Sequence, residues 1–336
     1  SDDFMTLLPR FLIDYWYVGV YWIALLALFV FLYAKGRLLQ QLKTTNHKRS
    51  LPAILYQSVV FIVLAGLSLV GARGGLQNKP LTVSNATKYT SVKRAPLALN
   101  TPFAVMTTFG HKAIDYKEYF TLEECHEIYP VLHHYSYSDS AFRKINIVTI
   151  LLESFSREYS GYLNGYKGYT PFLDSLMQQS LLFDNAFATA TRSIDAVHCI
   201  TTGIAPLMDD PFTLSVYNTN RFESLATILN KKGYHTAFFH GGTNGTLNID
   251  SYANMAGFSS YYGRSEYGNE DDYDGYWGIY DHAFLQYFAR QLNTFQEPFF
   301  AFEFTLSSHN PYQVPPQYET MFPEEEVKIH RVVKYT

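Results

Sequence analysis

Residues 145–156 read INIVTILLESFS, and the first eight of them decide the fold. Ile145 to Leu152 is a continuous, mainly apolar and β-branched run, the mark of a strand buried on both faces. Thr170-Pro171 then opens the helical stretch TPFLDSLMQQS, with Pro suited to the first turn. LLFDNAF (181–187) reads as a further strand. RSIDAVHCITTG (192–203) reads as a helix stopped by Gly203, and SLATILNKKG (224–233) as one stopped by Gly233. YHTAFFH (234–240) is the next strand, IYDHAFLQYFARQLN (279–293) has a helical period, and PFFAFEFTLSS (298–308) is another buried strand. Strand and helix in turn predict an α/β domain, a doubly wound, mainly parallel sheet with helices on both faces.

The polar residues fall at the strand ends. Glu153 follows the first strand at once, His240 ends a later one, and His309 comes just after the last. Open α/β sheets bind ligands outside the carboxyl ends of their strands. Each residue alone reads as a loop or packing residue, but three such ends together point to a site. Ser193 adds a nucleophile at a predicted helix start, where amides and dipole favour an anion, and Arg192 brings positive charge beside it. Ser193 also has the ordinary reading of an N-cap, with Asp195 merely suiting the dipole. Thr191 is the rival hydroxyl.

Outward from the domain, the N-terminal part differs in kind. Tyr15–Ala34 and Leu51–Ala72 carry no charge and match the roughly 20 residues that a membrane-spanning helix needs. Between them lie Lys35, Arg37, Lys43, Lys48 and Arg49 without an acidic residue, which predicts a cytoplasmic loop (35–50) and extracytoplasmic flanks. The expected organisation is a membrane anchor over 1–72, an extracytoplasmic linker over 73–143 and a catalytic domain over 144–336. The linker contains an Asn85-Ala86-Thr87 sequon, which matters only in a eukaryotic secretory setting. The first residues have no signal-peptide pattern, so the expectation is that earlier spans precede Ser1 and that the chain is a portion of a longer protein.

Composition narrows the class. Aromatic and charged residues each make up 17% of the 336 residues, which excludes disorder for most of the length. A net charge of −4 with no long basic run argues against nucleic acid as a partner. Cys125 and Cys199 are too few for a disulfide framework or a thiolate zinc site. Asp271, Asp272 and Asp274, beside Trp277, lack EF-hand spacing and read as an ordered surface loop; the Tyr and Trp residues there are suited to stacking on a sugar or glycerol group. His198 and Cys199 read as core, and His133 and His134 are assigned nothing.

The blocks NIVTILLESFS, TRSIDA, FFHGGTNGT and FTLSSHNPY, in this order behind two spans, resemble the lipoteichoic acid synthase type. These are membrane-anchored phosphoglycerol transferases of the sulfatase and alkaline phosphatase superfamily. The resemblance covers nearly the whole chain. It implies five spans, of which the two seen here are the last. It also implies that Glu153 binds the catalytic divalent metal and that Ser193 binds the same metal and forms a covalent phospho-intermediate. His240 and His309 would contact substrate near the phosphoryl group. The implied ion is Mn²⁺ or Mg²⁺, or Zn²⁺ if the chain is closer to the phosphoethanolamine transferases.

Two departures qualify that reading. The glycerol-phosphate synthases show a Trp and an Arg where this chain has Leu247 and Ile249, so a phosphate-matching guanidinium is missing. Asn244 and Asn248 are candidates to supply hydrogen bonds instead. The family's remaining ligands, an Asp-His pair, come downstream of the point reached by HRVVKYT (330–336), which reads as the helix before them. The expected function is transfer of a phosphate-linked head group from a membrane lipid to a glycan or glycolipid, by an inner-membrane, multi-pass bacterial protein with its catalytic domain outside the cytoplasm. The alternatives are a sulfatase-like ester hydrolase, a phosphoethanolamine transferase, or a non-catalytic membrane sensor. Against the hydrolase, no C/S-x-P-x-R motif surrounds Ser193.

Overall fold

A computed structural model describes residues 16–41, 51–77, 79–110, 113–115, 117–130, 142–323, 325 and 327–336. The chain divides into two compact units, Ser1–Val70 and Gly71–Thr336. The first unit contains helix α1 (Trp16–Gln41) and most of α2 (Leu51–Arg73). Within α2, Leu55–Arg73 is long and apolar enough to cross a membrane, and none of that window is buried. In α1 the qualifying apolar run, Ile23–Gly36, is shorter than a full span. Among the described residues one candidate span therefore stands where two are expected. Lys43, Lys48, Arg49, His133, His134 and residues 1–14 lie outside the described residues.

Among its described residues the second unit has four strands, β1 (Ile147–Leu151), β2 (His235–Phe239), β3 (Ser260–Tyr262) and β4 (Phe299–Phe304). Their order is β1-β4-β2-β3 and all three pairings are parallel. The principal helices are α3 (Pro171–Met177), α4 (Ser193–Thr202), α5 (Leu225–Asn230), α6 (Ile249–Met255), α7 (Asp281–Leu292) and α8 (Lys328–Tyr335).

Alternation along β4 makes two cores. Phe300, Phe302 and Phe304 face one cluster with Ile194 and Val197 of α4, Ala226 and Leu229 of α5, and Tyr252 of α6. Phe299 and Ala301 face the other, with Phe284 and Phe288 of α7. Small residues at Ala237 and Ala301 let the large rings of α7 approach the sheet. Phe238 stacks on Phe302 across β2 and β4, with centroids 4.9 Å apart. Such ring pairs add about 0.5–1.5 kcal/mol beyond the area they bury. Part of the aromatic excess of the composition is thus core, and it clads both faces of the sheet.

Two expectations need correction, and one strand has no counterpart in the sequence reading. The run 181–187 forms no strand: Leu181 and Phe187 are 83% and 88% exposed, and no neighbouring strand pairs with them. β1 is not buried on both faces: Ile147 and Leu151 pack on the core, but Val148 and Ile150 on the opposite face are 44% and 50% exposed. β3 escaped detection, since three residues, Ser-Tyr-Tyr, are too few to show a period.

The stretch expected to be linker includes a docked segment. Thr82–Lys88 packs along α6: Asn85 Nδ2 donates to Ser251 Oγ at 2.9 Å, Thr82 Oγ1 donates to Asn248 Oδ1 at 2.9 Å, and Lys88 pairs with Asp250. The sequon residue Asn85 is buried there.

Candidate active site

Parallel pairing brings the strand ends to one edge. Leu151 is level with Phe304 and Phe239 with Glu303, so Glu153, His240 and Thr305 emerge side by side. The Glu153 amide donates to Thr305 Oγ1 at 2.9 Å, and the Thr305 amide donates to the Leu151 carbonyl at 3.0 Å. Ser154 sits at φ +56°, a costly conformation for a residue with a side chain, and its hydroxyl donates to Glu153 Oε1 at 2.7 Å. Glu153 is buried, yet no Lys, Arg or His pairs with it among the described ion pairs. A buried carboxylate without a cation is expensive, and a bound metal ion is one remedy.

His240 is close enough to Glu153 for that carboxylate to act on its charge. Its ring stacks on Phe304 and Nδ1 lies 3.0 Å from the Phe304 carbonyl. A carbonyl only accepts, so Nδ1 carries the proton and Nε2 presents a lone pair. Burial pushes the imidazole below its ordinary pKa, against the opposing pull of the Phe304 carbonyl and Glu153. Nε2 therefore accepts rather than donates at neutral pH. Gly242 is needed at this point, because a Cβ there would lie 2.6 Å from Nε2.

Ser193 is the first residue of α4 and is half-buried. Its neighbours Ile194 and Val197 seat the helix on the core that includes Phe304, the ring beneath His240. Gly203 closes the helix in the left-handed conformation at φ +74°. Arg192, expected beside a substrate anion, is engaged elsewhere. Its Nε donates to Asp195 Oδ2 at 2.9 Å and its Nη2 to the Asp209 carbonyl at 2.7 Å. Asp195, expected only to suit the dipole, is the buried partner of that clamp, and its Oδ1 has no hydrogen-bond partner.

His309 is half-buried, with Nδ1 3.0 Å from the Asn310 carbonyl and its ring centroid 4.3 Å from that of Trp277. Asn244 turns away to brace another loop: Nδ2 donates to Glu266 Oε2 at 3.0 Å and Oδ1 accepts from the Ser265 amide at 3.1 Å. Asn248 is likewise occupied, accepting from Thr82 Oγ1 and donating to the Thr213 carbonyl at 3.0 Å.

Two buried acids had no sequence signal of their own. Asp281 opens α7 and looks like any acidic first-turn residue, but both its oxygens hold the loop that leads to His309. Glu303 stands inside the apolar strand β4, where burial and nearby Asp281 push its carboxyl well above the ordinary range.

Among the described residues, no group of three or more His, Cys, Asp or Glu stands ready to hold a metal. Glu153 and the Ser193 hydroxyl are oxygen donors of the kind hard divalent cations take, so the residues present fit part of a coordination sphere.

Comparison with known proteins agrees with this frame. The sulfatase family pattern matches residues 145–331. Lipoteichoic acid synthase 1 of Bacillus subtilis is 30% identical over 176 residues, 50% of this chain and 27% of its own length. Lipoteichoic acid synthase-like YvgJ of the same organism is 24% identical over 174 residues, 50% of this chain and 28% of its own. Among solved structures, a protein in the alkaline phosphatase superfamily from Vibrio parahaemolyticus superposes with a TM-score of 0.53 at 30% identity. That match covers 58% of this chain and 48% of the other. The matched part of the chain thus spans little more than a quarter of these curated relatives. With more than half of its residues matched, and a parallel sheet that gathers Glu153 and His240 at its carboxyl edge, the chain belongs to the sulfatase family.

Proposed function

We propose that the chain is a membrane-anchored transferase that moves a phosphate-linked head group, phosphoglycerol first, from a membrane lipid to a glycan or glycolipid. Ser193 carries the group between the two. The observation behind this reading is that α4, which opens at Ser193, packs on the core that includes Phe304, the ring beneath His240, while buried Glu153 acts on the charge of His240. The similarity to lipoteichoic acid synthases supports transfer of a phosphate-linked group in general terms.

In the first half-reaction Ser193 Oγ attacks phosphorus, the phosphoester bond to the lipid breaks, and the lipid alcohol leaves with a proton. In the second, an acceptor hydroxyl attacks the phosphorylated serine and Ser193 Oγ departs. His240 and His309, each with its Nδ1 turned to a backbone carbonyl, offer Nε2 as the atom that takes up a proton. The first-turn amides of α4 favour the anion at Ser193. Glu153 and Ser193 would hold a divalent ion, Mn²⁺ or Mg²⁺ before Zn²⁺. Such an ion supplies positive charge that acidifies the hydroxyl and neutralises phosphoryl oxygens. The anchor reading places α1 and α2 as two spans of a bacterial cell membrane, with the basic segment 35–50 inside and the sheet domain outside. The apolar window Leu55–Arg73 supports it.

The test is mass spectrometry of the Ser193 peptide after incubation of the full-length natural protein with its membrane lipids and Mn²⁺. A glycerophosphate or phosphoethanolamine adduct that disappears in Ser193→Ala is the expected result and names the group. An unmodified peptide in protein shown to bind metal would overturn the covalent transfer.

A further inference from the structure

A cleft of about 440 Å³ opens beside His309, walled by Lys79, Thr246, Tyr276, Trp277, Asn310 and Pro311. Its size lies within the range of about 300–1,000 Å³ typical of small-molecule sites. Trp277 is fixed from every side. Asp274 Oδ1 accepts from the amides of Tyr276, Trp277 and Gly278 at 2.8, 2.8 and 3.0 Å. The Trp277 carbonyl accepts from the Thr243 amide at 3.1 Å, and its indole N–H donates to the Asn310 carbonyl at 2.8 Å. With that N–H already satisfied, the indole has only apolar ring surface to offer the cleft. Tyr276, 60% exposed, offers a second ring.

Lys79 supplies the charge. Its stem lies over the Gly245 turn, where an added Cβ would stand 3.1 Å from Lys79 Cβ. Its ammonium is exposed and has no hydrogen bond or ion pair among the described residues. The acid nearest in sequence to the rings, Asp274, is turned inward to its own loop amides and does not compete for it.

Rigid aromatic surface, one free ammonium and a few amide and hydroxyl groups suit a molecule with an apolar ring face, a rim of hydroxyls and a negative group. The geometry points to this cleft as the acceptor subsite, binding a saccharide that carries a phosphate or a carboxylate. The rings stack on the C–H face of the pyranose and Lys79 pairs with the anion. The cleft adjoins His309, so a hydroxyl of the same sugar comes close to the histidine that faces the reaction. This assignment rests on the transfer reaction proposed above and specifies its acceptor.

The chain has three tryptophans, Trp16, Trp22 and Trp277, so a change in emission lost in Trp277→Phe reports on the cleft. The full chain, in a detergent without a sugar head group, is titrated with glucose 6-phosphate, glucuronate, glucose and inorganic phosphate. The expected result is saturable, Trp277-dependent quenching by one or both acidic sugars, and weaker quenching by glucose. The better of the two acidic sugars identifies the anion. Lys79→Ala should weaken binding of the acidic sugar up to roughly fivefold and leave glucose unchanged. Tyr276→Ala should weaken both. Quenching by inorganic phosphate equal to that by the sugars, or none by any sugar, overturns the assignment. If the Ser193 adduct still forms while no sugar binds, the subsite alone fails. If acidic sugars bind while Ser193 stays unmodified, the transfer reaction fails and the sugar site stands.

Discussion

Asp281 and Ser307 hold each other by two reciprocal hydrogen bonds. The Ser307 amide donates to Asp281 Oδ2 at 2.7 Å, and the Asp281 amide donates to Ser307 Oγ at 2.9 Å. With the Leu306 amide on Oδ1 at 2.8 Å, the first turn of α7 is locked to the loop between β4 and His309. Asp281 is a positioning residue for that histidine.

The lock has a pH signature. Burial outweighs the loop hydrogen bonds and raises the Asp281 carboxyl from 3.8 to about 6. The folded state thus keeps a proton that the unfolded state has lost, and stability falls as pH rises from about 4 through about 6. The shift of roughly two units corresponds to about 3 kcal/mol. Denaturant melts of the wild type and Asp281→Asn across pH 4–8 measure it. The wild type should lose stability relative to the variant over that window, and parallel curves would refute the assignment.

Glu303 gives a simpler case. Its Oε2 is buried without a hydrogen-bond partner, and the carboxyl stays protonated well above the usual range. Glu303→Gln keeps the shape and removes the ionisation. Its melting temperature should match the wild type in acid and exceed it at pH 8 by about 2–4 °C, the size of a 1 kcal/mol gain. Thermal scans at both pH values decide it.

Gly242→Ala places a methyl group 2.6 Å from His240 Nε2. Either the imidazole or the Gly241–Gly242 turn must move, at about 1–3 kcal/mol. Transfer activity should drop at least about tenfold, since small misplacements of a reacting group are costly. Steady-state rates measured beside a chemical melt separate the two effects.

Glu153→Gln tests the metal. Mn²⁺ at 100 times its dissociation constant should stabilise the wild-type natural protein by about 2.7 kcal/mol, and the variant by far less. A thermal shift equal in both proteins would remove Glu153 from the metal site. Chelator treatment should return the wild type to its metal-free melting temperature.

The three long strands were legible because each is a dense apolar run, and Glu153, His240 and His309 could be placed because such runs end abruptly in a polar residue. Strand order was not legible. Only the observed insertion of β4 between β1 and β2 explains why Glu153 and His240 become neighbours and why β1 is left at the rim. The loss of Asn244 as a free donor was equally hidden, since its partners Ser265 and Glu266 lie 21 and 22 residues away in sequence, and so was half of the Arg192 clamp, the Asp209 carbonyl 17 residues on. A short strand such as β3 carries no periodic signal, whereas 181–187 is apolar enough to read as a strand and pairs with none among the described residues.

The docking of Thr82–Lys88 on α6 bears on where the domain can be cut. Asn248, Asp250, Ser251 and Asn254 all take partners from that segment. A soluble fragment begun at residue 144 would bare these four polar side chains and the flank of the helix that supports the Phe302 core. The practical start of a self-sufficient fragment of the sheet domain is therefore upstream of Thr82.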